Sequence, residues 1–260
     1  MGERGLALVT GASSGIGESF ARLLAARGRD IILVARSKDK LEKLAAELSG
    51  RHGIRAAVEV SDLSAPGAAG MLAKTLGSRA LGPVELLINN AGFGARGEFH
   101  ALPLEAQEMM LRLNVEALVE LTYLVLPAMV KARRGAIINV SSMTSFQPIP
   151  YASLYAASKA FVTSFSMGLA EELRPYGIPV VTLCPGGTRT NFVTIGQAPT
   201  VRRFPGGRQE PDEVAELGLR ELRRGGGLVV PRMVNKAIVF AERLMPISLV
   251  PRLAGKLQKP

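Results

Sequence analysis

The chain has 260 residues, 47% of them hydrophobic, and a formal net charge of +10 at pH 7. This length favours one folded domain spanning residues 1–260. One cysteine, Cys184, and two histidines build no familiar metal-binding spacing and no intrachain disulfide, so we expect no bound metal and a cytoplasmic location. No apolar run reaches the roughly 18 residues of a membrane span, and Leu6–Val9 is too short for a signal peptide.

Short aliphatic runs alternate with longer amphipathic stretches along the whole chain. This pattern predicts repeated βα units around a parallel sheet, an α/β fold with helices on both faces. The predicted strands are Leu6–Thr10, Asp30–Ala35, Arg55–Val60, Glu85–Asn89, Ala136–Ser141, Pro179–Cys184 and Leu228–Val230. The predicted helices are Gly15–Arg27, Lys38–His52, Pro66–Arg79, Leu104–Lys131, Ala152–Arg174 and Asp212–Arg223.

A glycine-rich loop follows the first predicted strand. It reads Thr10-Gly11-Ala12-Ser13-Ser14-Gly15-Ile16-Gly17 and leads into the first predicted helix. Glycines let the backbone turn tightly and approach a phosphate, and the helix N-terminus favours a pyrophosphate. The spacing differs from the general GxGxxG fingerprint, and three glycines in a tight turn also have a purely structural interpretation.

The same loop fits the GxSxG nucleophile elbow of serine hydrolases. A hydrolase needs a later acid followed by a histidine, yet His52 and His100 are the only histidines in the chain. No earlier strand supplies an oxyanion-hole loop. We therefore favour nucleotide binding over hydrolysis.

The end of the second predicted strand indicates which nucleotide is bound. An NAD-specific site presents Asp or Glu there to the ribose hydroxyls, but this chain has Arg36, followed by Ser37 and Lys38. A guanidinium pairs with a 2′-phosphate, so we expect NADP(H). An ordinary charge flanking a helix is the alternative interpretation.

Tyr155 and Lys159 lie four residues apart in a predicted helix and therefore share a face. A nearby ammonium group stabilises a phenolate, so we expect Lys159 to lower the pKa of Tyr155 toward the working range. When protonated, the same phenol can donate to a developing alkoxide in carbonyl reduction. Tyr151 has no lysine at the matching offset. The pairing alone is common in amphipathic helices.

Ser142 lies thirteen residues before Tyr155, just after the strand Ala136–Ser141. Ligands bind at the carboxyl edge of a parallel sheet, where a hydroxyl can donate to the substrate oxygen. Ser141 is the alternative, because strand register decides which of the two side chains faces inward.

Together these motifs resemble the short-chain dehydrogenase/reductase family, from about Gly5 to Thr190. The resemblance implies a Rossmann-type doubly wound sheet of about seven strands. It also implies hydride transfer between NADP(H) and a carbonyl or secondary alcohol, and a homodimer or homotetramer. A catalytically silent cofactor-binding or regulatory protein is the alternative, which the complete catalytic set disfavours.

The resemblance assigns further site residues. Asn89-Asn90-Ala91-Gly92 is similar to the motif that braces the family's central sheet, and Asp62-Leu63 to the pair at the adenine. Asn114 is similar to the asparagine whose carbonyl holds a water linked to Lys159, and Pro185-Gly186 opens the segment that lines the nicotinamide. The implied catalytic residues are Asn114, Ser142, Tyr155 and Lys159. The implied cofactor-binding residues are Gly11, Ser13, Ser14, Gly15, Ile16, Gly17, Arg36, Asp62, Leu63, Asn90, Ala91, Gly92, Tyr155, Lys159, Pro185, Gly186, Thr188 and Thr190.

Three segments are expected to form the substrate pocket: Phe93–Arg96, Met143–Pro150 and Gly186–Glu210. The last is too long for an ordinary βα connection, which predicts a covering loop, with a disordered insertion as the alternative. Five side chains favour a largely apolar small molecule, an acyl chain, a 3-oxoacyl group or a steroid-like ketone. They are Phe93, Phe146, Ile149, Phe192 and Ile195. Arg96, Arg202, Arg203 and Arg208 either meet a carrier phosphate or are solvated loop charges.

The C-terminal part of the chain is strongly basic. From Arg220 onward, nine Lys and Arg residues stand against Glu221 and Glu242, a surplus of +7. Residues 232–260 interleave basic and apolar side chains, a pattern that fits contact with an anionic membrane surface, an acidic carrier protein or a phosphorylated substrate. A solvated face is the alternative. Without interleaved aromatics or a recognition motif, we expect no nucleic-acid partner.

Overall fold

The computed structural model describes residues 5–78, 81–192, 194–195, 207–246 and 249–258. In chain order its strands are β1 Leu6–Thr10, β2 Ile31–Ala35, β3 Ala56–Val60, β4 Val84–Asn89, β5 Gly94–Ala95, β6 Ala136–Val140, β7 Val180–Leu183, β8 Thr194–Ile195 and β9 Gly227–Val229. Its α-helices are α1 Gly15–Ala25, α2 Lys38–His52, α3 Ala68–Ser78, α4 Leu104–Leu111, α5 Ala117–Ala132, α6 Ser153–Leu173, α7 Pro211–Arg223, α8 Met233–Leu244 and α9 Val250–Gln258.

One parallel sheet contains seven of these strands, in the order β3-β2-β1-β4-β6-β7-β9. The direction of winding reverses between β1 and β4, and open α/β sheets bind their ligands at the carboxyl edge beside such a reversal. All five residues of β1 and all five of β6 are buried, as expected for strands covered on both faces. The prediction of a doubly wound parallel α/β fold with about seven strands is confirmed.

Two helical layers cover the sheet. On one face α1, α2 and α7 pack through side chains such as Phe20 and Val214, both fully buried. On the other face α3, α5 and α6 pack through Leu121 and Leu169. The second layer places the start of α6, which carries Tyr155 and Lys159, beside the carboxyl ends of β4 and β6.

The structure divides the long predicted helix Leu104–Lys131 into α4, a short π-helix and α5. Residues Arg112–Glu116 between α4 and α5 are wound as a π-helix, a form that is rare and is frequently found at functional sites. Within the part of the chain that is described, Leu104–Ala132 is the one helical stretch with the length and composition of a membrane span. Met110, Leu121 and Met129 on this stretch are buried in the interior, whereas Tyr123 and Leu124 are exposed.

The short strands β5 and β8 pair with each other in a separate two-stranded sheet, with Gly94 opposite Thr194 and Ala95 opposite Ile195. These strands were not predicted, because two residues are too few to show a strand periodicity. The pairing joins two of the segments that were expected to form the substrate pocket. The basic segment 232–260 contains the helices α8 and α9.

Candidate active site

The glycine loop and the NNAG motif are fixed to each other at the carboxyl ends of β1 and β4. The Thr10 hydroxyl accepts hydrogen bonds from the backbone N–H groups of Asn90 and Ala91, both at 3.0 Å. The Asn90 side-chain amide donates to the Thr10 carbonyl at 2.9 Å. The two loops therefore form a single rigid floor for a ligand.

Buried amides tie this floor to the helices behind it. Asn89 donates to Asn139 at 2.9 Å and to Thr122 at 3.1 Å, and Asn139 donates to Ser166 at 2.8 Å. These bonds join β4 to β6, α5 and α6, so the bracing role implied for the NNAG motif has a structural counterpart. The sequence analysis missed Asn139, although an amide inside the apolar strand Ala136–Val140 was an available signal.

A cleft of ≈ 280 Å³ lies along this edge of the sheet. Its lining includes twelve of the expected cofactor-binding residues: Gly11, Ser13, Ser14, Gly15, Ile16, Arg36, Asp62, Leu63, Asn90, Ala91, Gly92 and Thr190. Gly11 and Gly15 have φ of 65° and 59°, a conformation that glycine adopts without strain. The Thr190 methyl would lie 2.8 Å from a Cβ at Gly15, so this side of the cleft has room only for glycine there.

The structure does not place the other expected cofactor-binding residues on the cleft wall. Gly17 lies behind the loop, against the Gly11 carbonyl, and Thr188 pairs with Gln209. Pro185 accepts a hydrogen bond from the Met143 N–H at 3.0 Å, and Gly186 packs on Met143. Tyr155 and Lys159 lie deeper, beside the cleft. The lining also contains residues that the motifs did not indicate, such as Ser37, Ser61, Met109, Leu113 and Asn191.

Arg36 and Asp62 face each other across the outer end of the cleft. Their nearest charged atoms, Nη1 and Oδ2, are 3.9 Å apart, and the Arg36 side chain is 63% exposed. Burial raises the pKa of Asp62, but hydrogen bonds from Ser64 and the charge of Arg36 outweigh it and hold that pKa below its usual value. Arg36 is therefore an exposed guanidinium held loosely at the cleft, free to turn toward a phosphate.

Replacement of Arg36 by leucine is expected to weaken NADPH binding by about 10- to 100-fold, since charge-assisted hydrogen bonds contribute about 1.5–3 kcal/mol. NADH affinity should change little, because NADH carries no 2′-phosphate. Isothermal titration calorimetry with both nucleotides measures this, with Arg51→Leu on α2 as a control of equal charge change. An unmodified protein that binds NADH as tightly as NADPH would refute the role of Arg36.

The two candidate serines after β6 are distinguished by their hydrogen bonds. Ser141 is buried, donates to the Lys159 carbonyl at 2.8 Å and shares a hydrogen bond of 2.7 Å with Thr163. The hydroxyl of Ser142 lies instead against the Tyr155 phenol. Ser142 is thus the residue positioned for a substrate oxygen, and Ser141 anchors α6 to the sheet.

The environment of Tyr155 differs from the expectation. Burial raises the pKa of Tyr155, and the hydroxyls of Ser142 and Thr144 oppose this rise. The Lys159 ammonium donates to the Val140 carbonyl at 3.0 Å, and burial lowers its own pKa to about 8. The expectation that Lys159 lowers the pKa of Tyr155 is therefore wrong for this arrangement: Tyr155 is held as a proton donor.

The pKa of Lys159 sets an expected pH dependence. Its cation is present below about pH 8 and is lost as the pH rises further, whereas Tyr155 remains protonated because its pKa is raised. Ketone reduction should be constant at lower pH and fall up to tenfold per pH unit above about 8. The value of kcat/KM for NADPH at saturating ketone reports the free enzyme. A profile without change up to pH 9 would contradict this assignment.

Asn114 lies in the π-helical turn and connects the NNAG motif with α6. Its side-chain amide donates to the Phe93 carbonyl at 3.0 Å and to Ser158 at 3.1 Å, while its oxygen accepts the Phe93 N–H at 3.2 Å. The Ser158 hydroxyl in turn donates to the Tyr155 carbonyl at 2.7 Å. Asn114 thus fixes the start of α6 and with it Tyr155.

Aromatic side chains form the wall beside Tyr155. The rings of Tyr155 and Phe192 meet edge to face, 5.9 Å apart, and a Cβ at Gly94 would lie 3.3 Å from Phe192 and 3.5 Å from Tyr155. Phe93 is buried in an apolar cluster against which Tyr155 packs, Ile149 is buried as well, and Phe146 packs against the cluster around Cys184. The side chain of Ile195 lies outside the described residues.

The expected covering loop Gly186–Glu210 is described at both ends. The Arg189 N–H donates to the Gln209 carbonyl at 2.9 Å, and the Gln209 N–H donates to the Gly187 carbonyl at 2.8 Å. Arg208 is exposed, whereas Arg202 and Arg203 lie outside the described residues. The two ends of the loop are therefore hydrogen-bonded to each other next to Thr190, which lines the cleft. Arg96 is half-buried, and burial lowers its pKa.

The structure thus combines a parallel sheet, a glycine-lined cleft, a serine, a half-buried tyrosine and a buried lysine, as the sequence motifs predict. The short-chain dehydrogenase family model matches residues 5–198. The chain therefore belongs to the short-chain dehydrogenase family. The alternative of a catalytically silent member is not favoured, because all four catalytic side chains are present.

Individual proteins that are similar to this chain support the same family. A very-long-chain 3-oxoacyl-CoA reductase of Anas platyrhynchos is 34% identical over 201 residues, which is 74% of this chain and 62% of that protein. A Sphingobium yanoikuyae short-chain dehydrogenase in complex with NADPH is 35% identical, with TM-score 0.80 and 91% of each chain covered. A bulky-bulky ketone specific alcohol dehydrogenase from Comamonas testosteroni is 30% identical, with TM-score 0.80, covering 93% of this chain and 92% of that one. The chain spans less than two thirds of the length of the first of these relatives.

Proposed function

We propose that the protein is an NADP(H)-dependent carbonyl reductase whose substrates are 3-oxoacyl thioesters or similarly apolar ketones. The observation that carries this proposal is the meeting of the Ser142 and Tyr155 hydroxyls beside the nucleotide cleft, with Lys159 buried one helical turn along α6. A ketone oxygen placed between these hydroxyls would receive hydrogen bonds from both.

The cleft fits NADP(H). Gly11 and Gly15 provide a backbone cradle that a Cβ would fill, at the N-terminus of α1, where a pyrophosphate is stabilised. Arg36 offers its guanidinium to the 2′-phosphate, and the Sphingobium yanoikuyae relative is named as a complex with NADPH. Thr190 closes the cradle from the opposite side.

NADPH, when bound, supplies a hydride to the carbonyl carbon. Tyr155 donates its proton to the oxygen that becomes an alcohol, and the raised pKa of its phenol keeps that proton available. Ser142 donates a hydrogen bond to the same oxygen, which stabilises the negative charge that develops there. Lys159, cationic below about pH 8, places a positive charge beneath the site.

The pocket wall supports an apolar substrate. Phe192 and Gly94 lie against Tyr155, and Met109 and Leu113 line the inner cleft. Arg96 adds one half-buried cation in the segment after β5, suited to the phosphate or thioester end of an acyl carrier. An apolar pocket with a nearby cation agrees with the names of two relatives. The Anas platyrhynchos protein is named for a 3-oxoacyl thioester and the Comamonas testosteroni enzyme for a bulky ketone.

A substrate panel tests the proposal. Purified protein is given NADPH with 3-oxoacyl-CoA esters of increasing chain length, with bulky steroid-like ketones and with short ketones, and NADPH absorbance is followed. We expect kcat/KM to rise with apolar chain length until the pocket is filled, by roughly threefold for each added methylene. No oxidation of NADPH with any of these ketones would reject the proposed activity.

We further propose that α8 binds an anionic lipid surface. Its outward face is apolar: Met233, Phe240 and Leu244 are 75%, 64% and 72% exposed, at spacings that place them on one side of the helix. The inward face carries the buried Asn235 and the half-buried Glu242. The buried Val239 also lies on the inward face, so the unusual feature of α8 is its exposed apolar face, since the outward face of a surface helix is normally polar.

Basic residues border the apolar face of α8. Arg232 and Lys236 are exposed and lie along one edge of the helix by their spacing, and Arg252 is exposed on α9 next to the exposed Leu253. An apolar stripe bordered by cations is the pattern of helices that lie in the plane of an anionic bilayer. This charge pattern favours an acidic lipid surface over a second copy of the same basic chain.

Vesicle sedimentation distinguishes an anionic lipid surface from the other possible partners of the apolar face of α8. Binding is expected to vesicles containing phosphatidylglycerol, to weaken with salt, and to be lost in the double variant Phe240→Ser with Leu244→Ser. Phe99→Ser, at a 63% exposed phenylalanine on another surface, is the matched control. No binding to anionic vesicles, or a dimer or acidic-carrier complex that only the double variant disrupts, would overturn the lipid assignment.

A homodimer or homotetramer and a cytoplasmic location complete the proposal. Large side chains are also exposed on α5 and on α6, among them Tyr123 at 75% and Phe161 at 43%, and exposed apolar groups of this kind suit contact with a further copy of the chain. Cys184 is buried and free, which suits a reducing compartment. Sedimentation equilibrium measures the assembly state, and a monomer at micromolar concentration would reject the oligomer.

A further inference from the structure

The turn after β6 places a second hydroxyl beside Tyr155. Ser142 and Thr144 flank Met143 in this turn, and both hydroxyls counteract the rise that burial causes in the pKa of Tyr155. The sequence motifs assign a role to Ser142 alone. The presence of Thr144 next to the same phenol therefore requires its own explanation.

The Ser142 hydroxyl has a defined direction. Its oxygen accepts a hydrogen bond from the Thr144 backbone N–H at 3.2 Å. A hydroxyl whose oxygen accepts from the backbone keeps its hydrogen for another acceptor, and the substrate oxygen is the acceptor in the proposed reaction. Thr144 orients Ser142 through the main chain, so its own side chain is available for a separate role.

The Thr144 hydroxyl lacks a regular hydrogen-bond partner within the described residues. Its oxygen is buried from solvent and makes no hydrogen bond of regular geometry within the described residues, although it lies against Tyr155. Buried polar groups are normally paired, so an unpaired one needs a reason. A neutral phenol oxygen is a weak acceptor, whereas a phenolate is a strong one. A strong hydrogen-bond acceptor for the Thr144 hydroxyl therefore forms only when Tyr155 loses its proton.

We propose that Thr144 is a further catalytic residue, whose hydroxyl donates a hydrogen bond to the Tyr155 oxygen as that oxygen becomes a phenolate. The proposal rests on the reductase activity proposed above. As hydride reaches the carbonyl carbon, the Tyr155 O–H bond breaks, its proton passes to the substrate oxygen, and its electron pair remains on the phenol oxygen. The Thr144 O–H bond stays intact. This hydrogen bond is stronger in the transition state than in the complex with bound substrate. It therefore lowers the activation barrier of the reaction.

Ionisation of Tyr155 can be measured without any substrate. The chain contains four tyrosines and no tryptophan, so near-ultraviolet absorbance reports phenolate formation, and subtraction of the Tyr155→Phe titration isolates Tyr155. Thr144→Val keeps the shape but removes the hydroxyl, and should raise the pKa of Tyr155. Thr144→Ser restores the hydroxyl and should return the pKa to its original value. Ser145→Ala is the matched control, because the hydroxyl of Ser145 in the same turn contacts Cys184.

Turnover provides the second measurement. Thr144→Val should lower kcat for ketone reduction about tenfold, the loss of one hydrogen bond, while KM for NADPH stays unchanged and Thr144→Ser recovers the rate. A pKa of Tyr155 that is equal in Thr144→Val and the unmodified protein, or a serine variant that behaves like the valine variant, would overturn the proposal. If the titrations behave as expected but no ketone is reduced, the proposed function fails and the hydrogen bond to Tyr155 stands.

Discussion

Replacement of Tyr155 by phenylalanine is expected to lower kcat for ketone reduction by about three orders of magnitude, the middle of the range for a lost general acid. The ring of phenylalanine keeps the contact with Phe192, whose centroid lies 5.9 Å from that of Tyr155, and preserves the pocket wall. Only the proton donor is removed. Single-turnover oxidation of NADPH measures the loss directly, and calorimetry should show NADPH affinity within about threefold of the unmodified protein.

Tyr151 provides the control for this substitution. It lies four residues before Tyr155, in the turn that precedes α6, and its carbonyl accepts the Gly97 N–H at 2.8 Å. Tyr151→Phe retains that backbone contact and removes a phenol of a residue that lines a separate small pocket with Phe99 and Leu102, so turnover should be preserved. Substantial ketone reduction by the Tyr155 variant, or an equal loss in both variants, would contradict the assignment of Tyr155 as proton donor.

The parts of the site that sequence predicts well are the ones built from local backbone geometry. A glycine loop after a buried strand has few alternative conformations, so the placement of Gly11 and Gly15 at the cleft follows from their spacing. The seven strands of the sheet follow for the same reason, because each is a short aliphatic run between turn signals. Ser142 and Ser141 could not be separated in this way, since one residue of register decides which hydroxyl faces the phenol.

Features created by long-range contacts did not appear in the sequence pattern. The π-helical turn around Asn114, the pairing of β5 with β8 and the contact of Thr144 with Tyr155 each join residues distant in the chain. The protonation states of Tyr155 and Lys159 likewise depend on burial, which a spacing of four residues does not reveal. On α8, sequence indicates interleaved basic and apolar residues, but only packing shows that Glu242 faces inward and Phe240 outward.

Replacement of Gly17 by alanine is expected to abolish NADPH binding and to destabilise the fold. A Cβ at Gly17 would lie 2.3 Å from the Gly11 carbonyl oxygen and 2.5 Å from the Asn90 amide nitrogen, and neither is a flexible side-chain end in open space. Relief of this overlap must push α1 away from the glycine loop or break the hydrogen bond between Asn90 and Thr10. Either movement disturbs the backbone cradle for the pyrophosphate.

The cost of this overlap should fall in the range of about 1–3 kcal/mol that overpacking of a rigid site requires, which lowers Tm by roughly 2–10 °C for a domain of this size. Gly70→Ala on α3 is the matched control, because nothing lies within 4 Å of a Cβ there and alanine favours a helix. Thermal melts with and without NADPH separate the two effects: the Gly70 variant should be stabilised by the nucleotide like the unmodified protein, and the Gly17 variant should not. Equal nucleotide stabilisation of both variants would mean that the glycine loop tolerates a shifted α1, and that the close approach at Gly17 serves packing of the fold and not binding of the cofactor.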